Sequence, residues 1–248
     1  MTGGKIGILR PDWALPVEAG FTTRCGGVSK APYDSLNLAM HVGDDLAAVR
    51  ENRRRLAEQA GLPEQPRWVA QVHGTRVVHA GEVERDVTEA DAVWTDQPGQ
   101  VCAVLVADCL PILLADHAGR CVAAVHAGWR GLAAGIIQRT IETLPVPASD
   151  LVACIGPCIG PDAYEVGAEV IEAMIAGGTV PRSWPSLSGD EQFQLDLAAT
   201  AEGVFSQVGI RAGAATHVVH CTFTDPARLY SYRRDESTGR IAGYIRRW

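Results

Sequence analysis

The sequence predicts a single α/β domain over residues 1–248, of the α+β kind: a sandwich with a mixed β-sheet flanked by helices. Three observations lead there. Short β-branched runs and helical periodicities mix without a clean βαβ repeat, which favours a mixed sheet over a doubly wound parallel one. The runs in the middle of the chain, 101–106, 112–115 and 121–125, are continuously apolar, as strands covered on both faces are. No internal repeat, low-complexity segment or linker rich in Pro, Gly or Ser marks a boundary, and 248 residues suffice to bury one large core.

Residues 44–61 read as a helix. Asp44 or Asp45 can cap it, Leu46, Val49 and Leu56 recur at helical spacing, and Gly61 followed by Pro63 ends it. The run Arg53–Arg55 falls on this helix and is expected to be a solvated face rather than a phosphate fork. Segments 68–72, 76–80 and 90–94 are short and rich in β-branched or aromatic residues, hence strands. The three central runs follow, joined by ADCLP and DHAGR as tight connections. HAGWRG then leads into a helix over 132–144, with Ile136, Ile137, Thr140 and Ile141 along one side. Residues 151–155 form another buried strand ending in the turn GPCIGP. Helices over 166–175 and 195–208, a strand over 216–219 and a segment rich in Tyr and Arg complete the chain.

A net charge of −7 argues against a dedicated nucleic-acid binder, while leaving room for a local basic site. The longest apolar run, 101–115, contains Asp108 and Pro111 and is too short to cross a bilayer. Arg10, Pro11 and Asp12 interrupt the first residues before a signal peptide can form. The expectation is a cytoplasmic protein with no membrane partner. The seven cysteines (25, 102, 109, 121, 154, 158 and 221) are an odd number, expected to be reduced, with one of them chosen for chemistry.

That one is Cys109. His73 in QVHG, Cys109 in ADC and His126 in HAGWRG each stand at the edge of an apolar run, on three separate elements. Singly, a cysteine at a strand end is a small hydrophobe and a histidine beside glycine is a loop residue. Together, two imidazoles and one thiolate suit a borderline-soft cation such as Zn²⁺, and three ligands leave a fourth position open, as in a catalytic site. Small neighbours allow close backbone approach. Asp108 either orients this centre from behind, making it a third catalytic candidate beside Cys109 and His126, or serves as a turn carboxylate. His217 and His220 could meet only on a helix, whereas their segment reads as a strand; His79 and His117 look exposed, and His41 could line a pocket.

Other chemistries fit less well. A multicopper oxidase needs paired His-X-His motifs, which are absent, although one Cys and two His could bind a single copper ion (Cu²⁺) in vitro. A zinc nucleobase deaminase uses His-X-Glu with Pro-Cys-X-X-Cys, and here Ala127 and Gly128 follow His126 and Cys158 lacks its second cysteine. A Cys109–His126 dyad acting as a cysteine hydrolase or amidase, with a peptidoglycan-related amide as its substrate, is the alternative; His73 favours metal, since a dyad requires no second imidazole.

The segments GFTTRCGGVS (20–29), SLNLAMHVGDD (35–45), QVHG, ADCLP, HAGWRG, GPCIG (156–160) and YSYRRD (230–235), in that order, resemble the laccase-domain family, also labelled polyphenol oxidase or peptidoglycan editing factor. The likeness spans nearly the whole chain. It implies a fold similar to cysteine-deamidase toxins, zinc on His73, Cys109 and His126, and phosphorolysis of adenosine, inosine and S-methyl-5′-thioadenosine, with some adenosine deamination. Such a reaction needs a cradle for phosphate and a group that reads the nucleoside. Arg24, in the Gly-rich TRCGG turn, is the first candidate for phosphate, Arg130 the second and Arg233 the third. Gln71, alternating with His73 on a strand, either reaches base or ribose or serves the sheet.

Overall fold

Continuous apolar runs need cover on both faces, and in the computed structural model, which describes residues 4–179, 192–218 and 220–248, two stacked sheets and their flanking helices supply it. Strands β1 (Ile8–Leu9) and β2 (Val17–Thr22) come first, followed by helix α1 (Leu46–Gln59). Strands β3 (Val77–His79), β4 (Ala92–Thr95), β5 (Val101–Val106), β6 (Leu110–Asp116) and β7 (Val122–Ala127) lead to helices α2 (Trp129–Ala134) and α3 (Ile136–Thr143). Then come β8 (Leu151–Ile155), β9 (Glu165–Gly167), α4 (Ala168–Ala176), β10 (Gln192–Gln194), α5 (Leu197–Val208), β11 (Ala215–His217), α6 (Tyr232–Asp235) and β12 (Ile241–Arg247).

The larger sheet runs β11-β8-β6-β7-β4-β3 and is mixed, with parallel pairs only at its two edges. The smaller sheet runs β1-β2-β12-β5 and is antiparallel throughout. One face of the large sheet meets helices through Ile112, Leu114 and Val125 against Leu132, Ile137, Ile171 and Phe205. Its other face meets the small sheet through Leu113, Val122 and Ala124 against Phe21, Val104 and Ile245. The far side of the small sheet is closed by Leu36, Leu38, Leu56 and Trp68. The fold is therefore the mixed α/β sandwich that the sequence predicts.

Several elements differ from expectation for identifiable reasons. The helix over 132–144 is two helices, because Gly135 at φ +89° turns the chain between α2 and α3. Residues 68–72 are not a strand; the stretch pairs through isolated bridges, from Arg67 to Cys102 and from Ala70 to Glu89, and through the Gln71 side chain on Leu105. Arg53 is not a solvated residue: it is buried, forks onto Asp86 at 2.6 and 2.8 Å and lies over the Trp68 ring. The strand over 216–219 occurs as Ala215–His217, and Val219 lies outside the described residues. Strand β12 lies inside the small sheet, between β2 and β5, in a segment whose Tyr and Arg content hides that it is buried along nearly its whole length. Where the helix over 44–61 was expected, α1 begins after Asp45, whose carboxylate accepts from Ala47 N. No helix of the described residues is long and apolar enough to cross a membrane, and all seven cysteines are free.

Candidate metal centre

One end of the large sheet collects the site. The β5–β6 turn holds Asp108 and Cys109, with Asp108 at φ +87°. Strands β6 and β7 pair Leu110 with Ala127 and Pro111 with His126, so Cys109, one residue ahead of β6, comes to the end of β7 that carries His126. His73 reaches the same point from the loop ahead of β3, at φ +60°, a left-handed conformation uncommon for histidine. It is a loop residue rather than a strand-end residue.

The ligand atoms of His73, Cys109 and His126 lie within 4.8 Å of one another, and Cys109 Sγ is 3.9 Å from His73 Nε2. A tetrahedral zinc with ordinary bond lengths separates such atoms by about 3.3–3.6 Å, so a small inward movement suffices. The two imidazoles stand edge to face, centroids 4.8 Å apart. His126 Nδ1 is bonded to Asp91 at 2.8 Å, which leaves Nε2 for a cation. Gly128 completes the fit: a Cβ there would lie 3.0 Å from both Cys109 Sγ and His73 Cδ2. The space beside the donors exists because position 128 has no side chain.

Asp91 is the residue the sequence reading missed. It precedes β4, buried, and its main-chain oxygen accepts from His126 N at 2.7 Å. Its Oδ1 accepts from His73 N at 2.9 Å as well as holding the imidazole, and Oδ2 accepts from Gly74 N at 2.7 Å. Burial alone would raise this carboxyl, but His126 and the two loop amides outweigh it and hold it below the usual carboxylate value. Likewise burial works against the Cys109 thiolate, yet the imidazoles of His126 and His73 bring the thiol down to about 6. Burial also opposes the His126 cation, and the charges of Cys109 and Asp91 carry it the other way, up to about 9. These groups form one charge-coupled set, with the anionic sulfur a metal requires.

The cluster opens onto a cavity of about 420 Å³. Gln71, Asp108, Arg130 and Arg233 line it, as does His41, together with Tyr164, Tyr232 and Arg240, which carried no role in the sequence reading. Arg24 does not. It lies in a different depression, giving its guanidinium to Asp34 O, Pro226 O and the Asp34 carboxylate, and stacking on Tyr230. The glycine-rich turn thus serves the packing of the 220s loop. Asp108 does not touch a ligand imidazole; its carboxylate accepts from the Thr222 hydroxyl and from Arg233 N at 2.7 Å. Of its two expected roles the geometry fits the turn carboxylate, which fixes the chain that carries Arg233, while Asp91 is the carboxylate against a ligand imidazole. Both ends of the Gln71 amide are engaged by Leu105, N to O at 2.8 Å and O to N at 2.7 Å. A larger cavity of about 520 Å³ lies beyond Ile159, which lines both, and contains no ligand cluster among the described residues.

A family model described as multi-copper polyphenol oxidoreductase laccase matches residues 18–247. The chain is 48% identical over 245 residues to a Pseudomonas aeruginosa protein named purine nucleoside phosphorylase PA4543, covering 96% of this chain and 97% of that one. It is 42% identical over 240 residues to purine nucleoside phosphorylase YfiH of Escherichia coli, covering 96% and 98%. The crystal structure of Neisseria meningitidis protein NMB0706 matches with a TM-score of 0.90 at 41% identity, covering 97% and 99%. That of YlmD from Geobacillus stearothermophilus matches at 0.88 and 34%, covering 97% and 96%.

Proposed function

The chain belongs to the multi-copper polyphenol oxidoreductase laccase family, and from that premise we propose that it is a zinc-dependent purine nucleoside phosphorylase. Full-length relatives named purine nucleoside phosphorylase support the reaction class. The observation that carries the reading is the His73, Cys109 and His126 cluster opening on a cavity walled by arginines and aromatic rings. Phosphorolysis needs an anion site beside a surface for a flat base, and both residue types line this cavity. Laccase chemistry is not proposed, because none of the seven histidines forms a His-X-His pair.

In the proposed reaction an oxygen of phosphate bonds to C1′ of the nucleoside, the C1′–N9 bond breaks, and the purine leaves with the bonding electrons and takes a proton. Asp91 holds the His126 imidazole and the His73 loop, and Cys109 carries the negative charge of the donor set. Bound zinc would supply Lewis acidity at its open position; copper would suit the same donors in vitro. Adenosine, inosine and S-methyl-5′-thioadenosine are the proposed nucleosides, with adenosine deamination as a side activity. The proposed compartment is the cytoplasm, where free cysteines stay reduced.

Product analysis with inosine and adenosine, with and without phosphate, tests this. Ribose 1-phosphate supports phosphorolysis, and ammonia from adenosine reports deamination. Free ribose regardless of phosphate overturns the phosphorylase reading.

One observation favours a second reading. Cys109, His126 and Asp91 are arranged as nucleophile, base and orienting carboxylate, which would suit a cysteine hydrolase or amidase. Cys109→Asp and Cys109→His distinguish the two, because either side chain can ligate zinc and neither can form a thioester. Turnover that rises with added Zn²⁺ in these variants supports the metal; a covalent substrate adduct on wild-type Cys109 supports the hydrolase.

A further inference from the structure

Three arginines line the cavity beside the metal cluster, and none pairs with a carboxylate among the described residues. Arg228 and Arg234, from the same region, are bound to Asp225 and Asp235, and Arg53 is bound to Asp86. A guanidinium taken partly out of water is costly unless an anion meets it. Three without a carboxylate partner round one cavity suit an anion that arrives from outside, and the cost of desolvation bears on Arg240, the half-buried one.

The three are not equivalent. Arg130 and Arg233 are exposed, lying over Trp129 at 4.3 Å and over Tyr164 at 5.3 Å. Arg240 is half-buried, and its position is fixed at several points. Its main-chain N donates to Asn37 Oδ1 at 3.0 Å, and Leu38 N donates to its carbonyl. Its Nη1 donates to Thr238 O at 2.9 Å and Gly239 O at 3.0 Å, and its guanidinium stands 5.8 Å from the Tyr232 ring centre. These contacts occupy one corner of the fork. The Nε and Nη2 hydrogens have no partner among the described residues. Arg240 lines the same cavity as Asp108 and Cys109 of the ligand-bearing turn.

Resting on the phosphorylase reading above, we infer that Arg240 is the residue that holds the phosphate co-substrate, while Arg130 and Arg233 at the rim draw anions toward it. A preset fork with two free N–H groups matches the spacing of two phosphate oxygens. It also places the nucleophile on the wall of the same cavity as the metal cluster, where the glycosidic bond must lie. The turn around Arg24, by contrast, opens on another part of the surface.

Kinetics of zinc-loaded wild type, Arg240→Gln, Arg240→Lys, Arg130→Gln and Arg233→Gln with inosine and inorganic phosphate test the inference. Arg240→Gln should raise the phosphate KM about tenfold or more, the usual loss for a hydrogen bond to a charged group, with the inosine KM changed less than about threefold. Arg240→Lys keeps the charge without the fork and should fall between, and it stands in should the Gln variant fail to fold. The two rim variants should act mainly at low salt. If wild type forms ribose 1-phosphate and Arg240→Gln leaves the phosphate KM unchanged, the inference is wrong and the phosphorylase reading stands. If wild type forms none, that reading fails, and the thermal shift induced by inorganic phosphate decides Arg240 separately. A shift in wild type that is lost in Arg240→Gln keeps the anion site; equal shifts, or none, remove it.

Discussion

His126 and Asp91 are joined twice, side chain to side chain at 2.8 Å and main chain to main chain at 2.7 Å. Through the same carboxylate Asp91 also holds the amides of His73 and Gly74. One buried side chain thereby sets the tautomer of one ligand and the backbone of another. The left-handed conformation of His73 would otherwise be costly; these bonds are what stabilise it.

Asp91→Asn should therefore reduce metal affinity by roughly 10–100-fold, the usual cost of losing such an outer partner. Activity at limiting zinc should fall in parallel and recover in part at excess zinc. Competition with a chromophoric chelator measures this. Unchanged affinity would mean that Asp91 supports the fold alone.

Gly128→Ala isolates the space beside the donors. Gly128 has φ −68°, so alanine fits the backbone, and the cost falls on Cys109 Sγ and His73 Cδ2, each of which would lie 3.0 Å from the new Cβ and have to give way. Thermal stability should change little while zinc affinity drops roughly tenfold or more. Metal content after dialysis against a weak chelator, set beside the melting temperature, reads both.

Local pattern carried the three ligands but not their supports. His73, Cys109 and His126 are chemically conspicuous and border apolar runs, so the sequence alone could select them. Asp91 lies between two alanines, and only the pairing of Ala92 with Val125 brings it against His126, a relation that depends on strand order. Arg24 misled because a glycine-rich turn with an arginine looks like a phosphate cradle, and nothing local shows that Asp34 and Pro226 claim the guanidinium. The central strands were legible for the opposite reason: continuous burial leaves a signal that needs no partner to be read. Helix 132–144 was broken by Gly135, whose positive φ cannot be told from the residue name.

Gln71→Ala separates a structural role from substrate contact. Strand β5 is the edge of the small sheet, and the Gln71 amide caps Leu105 as a neighbouring peptide would. Removing it leaves a buried N–H and C=O unpaired, a loss of about 1–3 kcal/mol. The expected outcome is a lower melting temperature with the inosine KM unchanged after zinc loading. A raised KM with unaltered stability would return Gln71 to the substrate.

Stability should also fall with acid through Asp116, at the end of β6. Burial would raise this carboxyl, but the Arg120 guanidinium and the amides of Cys121 and Arg120 outweigh it and hold it below its ordinary value. A depressed folded value makes the contribution complete above the unfolded value of about 3.9; it is lost as pH falls through the folded one. Asp116→Asn should cost about 1–3 kcal/mol at neutral pH and flatten the decline of stability below about pH 4. Urea unfolding across pH 2–7, with pH as the chosen variable, tests the slope; an unchanged acid limb would assign it to other carboxylates.

Alkylation of Cys109 reports occupancy of the centre without any assay of turnover. Its thiol is brought down to about 6 against the opposing effect of burial, so in metal-free protein it is largely thiolate at neutral pH and should react readily with iodoacetamide. Burial drives Cys121, Cys154, Cys102 and Cys158 the other way, which should leave them slow to react. Exposed Cys25 and half-buried Cys221 give a background that peptide mapping separates from Cys109. Adding zinc should suppress labelling of Cys109 alone, with the midpoint tracking the metal affinity, because a coordinated sulfur has its lone pair engaged. Asp91→Asn and Gly128→Ala should shift that midpoint to higher zinc. Labelling of Cys109 at the same rate with and without zinc would show that its sulfur is not a ligand and would leave the Cys109–His126 nucleophile as the better account of the site.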